Sequence, residues 1–209
     1  MSERKDTAMQ IAYKSTLIGS DFSGMDLSGR NLTGTNLTGC NFNRSKLSNC
    51  IFDDCVFTNS TFRGADLDFA SFKRAVLIKC DLSRSNLHMA DFTEADLTGS
   101  DMSMSYGKAT LFVDAIVSAC SMRRVTYKNA FFIRTDLRNS DFVGADLMGA
   151  RFNGSKVQGL RNADKAIYKW WLNPYGGPPS YEPRPGWTEL DQSVLGGITI
   201  QENAATRSE

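Results

Sequence analysis

Six side chains in this 209-residue chain carry the chemistry that most often builds an active site: His88 and five cysteines, Cys40, Cys50, Cys55, Cys80 and Cys120. Imidazole is the side chain whose unperturbed titration falls near neutrality, so His88 is the natural candidate for a proton shuttle. A thiol offers a nucleophile, half of a disulfide or a metal ligand. Nothing in the sequence joins these roles. There is no C-x-x-C pair and no second histidine to complete a zinc set. The many aspartates lack the paired-carboxylate context of an acid–base site and recur at fixed intervals instead. No metal site and no cofactor is expected.

The cysteine numbers lead to the element that must position them, because all five are multiples of five. The same spacing governs an apolar column that begins Leu17, Phe22, Leu27, Leu32, Leu37, Phe42 and runs to Val157. It comprises 29 consecutive units without insertion or deletion, and Gly107 is its one exception. A period of five is neither the 3.6 of a helix nor the 2 of a strand, so it signals a repeat architecture. Two residues before each centre sits a small side chain, as at Ser20, Cys40, Ala65, Ala90 and Ala145. Just before the centre often comes Asp or Asn, as at Asp21, Asn31, Asp66, Asp91 and Asp146.

Blocks such as GADLD, EADLT and GADLM resemble the A-(D/N)-L-X-X motif of the pentapeptide-repeat family. The resemblance implies an all-β, right-handed quadrilateral parallel β-helix with four units per coil and one unit per side. Leu or Phe would fill its axis, and the small residue would point inward where a larger one does not fit. Coils of twenty residues stacked at ~4.8 Å predict about seven coils and a rod of roughly 34 Å. The expected organisation is an N-terminal arm or cap over 1–16, the rod over 17–157, a capping helix over 158–173 and a docking arm over 174–209.

On that frame every cysteine takes the small inward site. Cys40, Cys80 and Cys120 share a side but lie two coils apart, about 9–10 Å, beyond disulfide reach. Cys50 and Cys55 sit on adjacent sides of one coil. All five read as small core residues in a reducing, cytoplasmic setting. His88 falls on an outward site between Asp68 below and Lys108 above, a surface charge ladder rather than a catalytic centre. No enzyme activity is expected. No run of about 18 apolar residues suits a membrane span, and no apolar stretch follows the charged Met1–Asp6 to suggest a secretion signal.

Some members of the family imitate DNA and bind DNA gyrase, which demands a strongly negative face. Residues 17–157 hold 15 acidic and 16 basic side chains. Asp81, Asp101 and Asp141 form an acidic column, while Arg123, Arg124, Lys128, Arg134 and Arg138 oppose it. Gyrase binding is therefore the alternative reading, and nucleic acid itself is not an expected partner.

Residues 103–134 keep the register but lose the polar exterior. Leu111, Val113, Phe131 and Ile133 are expected to form a two-by-two apolar patch on one side, with Ile51, Val56, Val76 and Ile116 near it. Gly107 predicts a dent in the core, filled by Tyr106 or Phe112. After Val157, Ala163–Leu172 suits a short helix with Asn162 as its cap and Pro174 as its stop. Trp170, Trp171, Tyr175, Tyr181 and Trp187 then stud a Pro-rich arm, the anchor chemistry of a docking segment. The fragments WWLNPYGG and PGWTEL resemble tails of phage-encoded members of the family. The sequence thus predicts a non-enzymatic structural or interaction protein, bound to protein partners as a homo-oligomer or part of a larger assembly, a virion among them.

Overall fold

The computed structural model describes residues 17–162. Within them the backbone pairs only with itself at an offset of twenty residues. Parallel bridges run from Asp21↔Asn41 through Leu111↔Phe131 to Asp141↔Arg161. Five-residue units and a twenty-residue offset make a four-sided coil. Each side contributes single-residue bridges rather than extended strands among the described residues.

The hydrogen bonds explain the unit length. The central N–H donates to the next coil, as Phe42 N to Thr61 O at 2.7 Å. The N–H before it donates to the previous coil, as Asn41 N to Ser20 O at 3.0 Å. The second N–H after the centre donates upward, as Arg44 N to Arg63 O. The following N–H closes a turn onto the central carbonyl, as Ser45 N to Phe42 O. One N–H per unit remains; where Asp or Asn precedes the centre it donates to that side chain, as Ser23 N to Asp21 Oδ1 at 3.0 Å, Thr93 N to Asp91 Oδ1 at 2.9 Å and Ser103 N to Asp101 Oδ1 at 2.8 Å. In units without one it can reach the coil below, as Lys73 N to Asp53 Oδ1 at 3.1 Å. The motif carboxylate is thus a backbone partner before it is a charge.

Each turn places its third residue at positive φ. Glycine holds that slot in every unit at both ends of the rod, Gly19–Gly39 and Gly144–Gly159, whereas in the middle it does so only at Gly64 and Gly99, the other units placing residues such as Phe69, Met89, Ala119 and Arg124 there. A side chain there works against Cβ–carbonyl sterics.

Central side chains are fully buried from Leu37 to Phe142, and the small site two residues earlier is buried beside them. The first turn, Leu17, Phe22, Leu27 and Leu32, and the last centres, Phe152 and Val157, are only partly covered. One side stacks Phe72, Phe92, Phe112, Phe132 and Phe152 face to face at 4.9–5.3 Å, the coil spacing itself. Polar residues at the small site spend their protons on core carbonyls: Ser60 Oγ donates to Leu37 O at 2.7 Å and Thr110 Oγ1 to Leu87 O at 2.9 Å.

The dent at Gly107 is filled from the coil above, not by Tyr106 or Phe112. A Cβ at Gly107 would lie 2.6 Å from Tyr127 Cε1, because the tyrosine ring lies over the glycine. Ser105 Oγ donates to Met102 O at 2.5 Å, so the Tyr127 hydroxyl donates to Ser105 Oγ at 2.6 Å. Tyr106 faces solvent instead. Residues 158–161, within the stretch assigned to the capping helix, continue the coil through Arg161 N to Ser140 O at 2.8 Å. The rest of that helix, the arm over 174–209 and the segment 1–16 lie outside the described residues.

Two substitutions measure the left-handed strain. Gly39, where an added Cβ would meet only open space, should lose about 0.5–1 kcal/mol on Gly39→Ala, and Ala119→Gly should gain as much, read as opposite shifts in urea midpoint. Gly107→Ala should cost about 1–3 kcal/mol by overpacking. Adding Tyr127→Leu should recover much of that loss, and strict additivity would refute the ring-over-glycine packing.

Candidate interaction surfaces

The five cysteines are free and buried. Their thiols donate to carbonyls one coil down: Cys40 to Leu17 O at 2.9 Å, Cys55 to Leu32 O at 2.9 Å and Cys80 to Phe57 O at 2.9 Å. Burial pushes the thiols of Cys50 and Cys55 up to about 11, and those of Cys80 and Cys120 up to about 12. No set of three metal-ligating side chains converges among the described residues.

His88 does not use the acidic and basic neighbours expected of it. Its Nδ1 lies 3.1 Å from the Lys108 carbonyl, which only accepts, so Nδ1 carries the proton. The ring is bracketed by Phe69, edge-on at 5.6 Å, and by Tyr106, stacked at 6.2 Å. Asp68 Oδ1 beneath it is buried without a hydrogen-bond partner.

Leu111 and Phe131 are bridge partners on adjacent coils, and Val113 and Ile133 follow their centres on the same side. All four are half-buried, and the Arg151 guanidinium sits 5.1 Å over the Phe131 ring. Trp170, Trp171, Tyr175, Tyr181 and Trp187 lie outside the described residues. Larger apolar exposure occurs elsewhere: Phe69 at 48 %, Met89 at 45 %, Met104 at 45 % and Tyr106 at 44 %. Sequence reasoning singled out Tyr106 but missed the other three. The available signal was a bulky apolar residue in the third turn slot, which other units fill with Gly, Ala, Asn or a charge.

The acidic column is weakly presented. Oδ1 of Asp81 and Oδ1 of Asp101 accept the Ser83 and Ser103 N–H groups. Asp141 is nearly buried; burial opposes its ionisation, but Asn162, the Val143 N–H and the charges of Arg123 and Arg161 outweigh that and hold its carboxyl below the usual range. Elsewhere arginines reach across one coil: Arg74 forks Asp54 at 2.8 Å through both Nε and Nη2, and Arg134 grips Asp114 in the same way. Such exposed pairs contribute little stability singly.

The thiols set a pH limit. With folded values raised above the ordinary thiol range, their contribution is intact below about pH 9 and fades as pH rises toward 11–12. Thermal melts should therefore shift downward above pH 9. A thiol-specific reagent at neutral pH should label none of the five until denaturant is added, and rapid native labelling would contradict this packing.

The Pentapeptide repeats family matches residues 14–44, 40–77, 65–104 and 117–154. Among solved structures, a trypsin-treated variant of QnrB1, a plasmid-mediated fluoroquinolone resistance protein, is 16 % identical with a TM-score of 0.53, over 73 % of this chain and 92 % of that one. A second trypsin-treated QnrB1 variant is 19 % identical with a TM-score of 0.45, over 70 % and 72 %. HetL, a pentapeptide repeat protein involved in heterocyst differentiation regulation in the cyanobacterium Nostoc, is 17 % identical with a TM-score of 0.30, over 77 % and 92 %. No curated protein matches the chain. The QnrB1 likeness at 0.53 is one of fold. With family matches spread over most of the rod and a twenty-residue bridge ladder beneath them, this chain belongs to the pentapeptide repeat family, whose known structures are right-handed quadrilateral β-helices.

Proposed function

We propose that the protein is a non-enzymatic, cytoplasmically made interaction rod and a component of a larger assembly, a virion being the leading instance. It would be held through its C-terminal arm and an apolar flank. The observation that carries this reading is the outward placement of two groups of bulky apolar residues on the rod. Leu111, Val113, Phe131 and Ile133 cluster on one side, and Phe69, Met89 and Tyr106 stand exposed on another, with Met104 at the end of the side that leads into it. Contiguous apolar surface of this kind marks contact sites. Trp170, Trp171, Tyr175, Tyr181 and Trp187 supply the matching anchors in the arm.

A second reading is a DNA-imitating protein that binds DNA gyrase. The fold likeness to a fluoroquinolone resistance protein favours it, as do Asp81, Asp101 and Asp141 in one column. The near-balance of 15 acidic and 16 basic side chains over 17–157 weighs against a phosphate-like face.

Deleting residues 173–209 should abolish association while the rod stays folded, measured as molar mass by light scattering beside circular dichroism. An unchanged assembly mass would remove the arm from this role. In a supercoiling assay at micromolar protein, inhibition of gyrase or protection from a quinolone would establish the second reading in place of the first.

A further inference from the structure

We infer that the stripe Phe69–His88–Tyr106, with Met89 and Met104 at its edges, is the seat of residues 181–191 of this same chain. The contact joins two parts of one molecule: it would take the stripe, Tyr181 and Trp187 for the rod itself and leave Leu111, Val113, Phe131 and Ile133, with Trp170, Trp171 and Tyr175, to the partner proposed above.

The stripe is a continuous surface. Its three rings climb three successive coils on one side of the rod, with the His88 ring touching both neighbours. Phe69 N donates to His88 O at 2.9 Å and Leu87 N to Tyr106 O at 2.6 Å, so adjacent coils fix the spacing. Phe69, Met89 and Met104 keep positive φ, at 55°, 52° and 58°, in a slot where glycine would be less strained. Bulky side chains there oppose the local backbone preference and gain nothing from the core. A docking role gives them a use.

The rim is basic. Arg84 and Arg124 occupy the slot of Met104 one coil below and one coil above, and Lys108 follows His88 on the next coil. None of the three forms an ion pair with a carboxylate among the described residues, and the acidic side chain in the slot beneath His88 is Asp68, whose Oδ1 is buried.

The occupant has complementary chemistry. Residues 181–191 read YEPRPGWTELD, with Tyr181 and Trp187 as aromatic anchors and Glu182, Glu189 and Asp191 against Arg184. Pro183 and Pro185 restrict the backbone dihedrals open to such a segment, which lowers the entropy lost on docking. Reach is ample. From Asn162 the stripe lies three to five coils back, roughly 15–25 Å at the coil spacing, while the 19 residues to Tyr181 extend to about 60 Å.

The test uses the full chain with Trp170→Phe and Trp171→Phe, leaving Trp187 as the sole tryptophan. Its emission should be blue-shifted and several-fold less quenched by acrylamide than in a free 178–195 peptide. Phe69→Gly with Tyr106→Thr removes two rings while relieving strain at residue 69. That pair should return Trp187 to the emission and quenching of the peptide without lowering the urea midpoint. Glu189→Arg with Asp191→Arg, which leaves the rod untouched, should do the same. A solvent-like Trp187 in the parent chain, or shielding that survives both pairs of substitutions, would overturn the assignment. Shielding lost on about a hundredfold dilution would also overturn it, by showing that the arm sits on a second copy.

Discussion

Everything in this rod follows from one accounting constraint: five backbone N–H groups per unit must each find an acceptor. Three go to neighbouring coils, one closes the turn, and the fifth goes to the Asp or Asn before the centre in the units that carry one. Because every side makes the first four bonds in the same way, the coil repeats at twenty residues and the centres fall on one axis. Core size is then fixed by the backbone. A Phe or Leu at the centre needs a small neighbour two residues earlier, and where the centre is Gly107 the space passes to Tyr127 above it. Stability is shared in small identical portions along the stack, as in other solenoids.

That economy governs what the surface can do. Aspartates that look like an acidic face are occupied by turn N–H groups, and arginines on the next coil neutralise several others. Thiols that look like a redox set are held by carbonyls in the core. What remains free for contact is the side chain in the third turn slot and the residues on either side of the centre. Those slots hold Phe69, Met89, Met104 and Tyr106.

The register, the inward pair and the Asp or Asn role were legible because they depend on spacing alone. The twenty-residue stacking of Leu111 on Phe131 follows from the same arithmetic. Side-chain direction was not legible. The sequence placed His88 in a charge ladder, yet its ring lies between Phe69 and Tyr106, because a planar ring gains more from stacking than from a solvated neighbour. The dent at Gly107 was visible, but its filler came from twenty residues ahead rather than from an adjacent residue. Exposure of the third turn slot depends on φ, which a side chain's type does not reveal: Arg124 and Ala119 share it with Gly144.

The distribution of that slot has a mechanical consequence. Glycine fills it throughout the outermost coils, where centres such as Phe22 and Val157 are only partly covered, and between them every unit but those of Gly64 and Gly99 places a side chain there. Conformational tension is therefore concentrated in the coils best able to bear it. Opening should proceed from the tips inward, one turn at a time, so amide exchange would rank by distance from the nearest end rather than by side of the square.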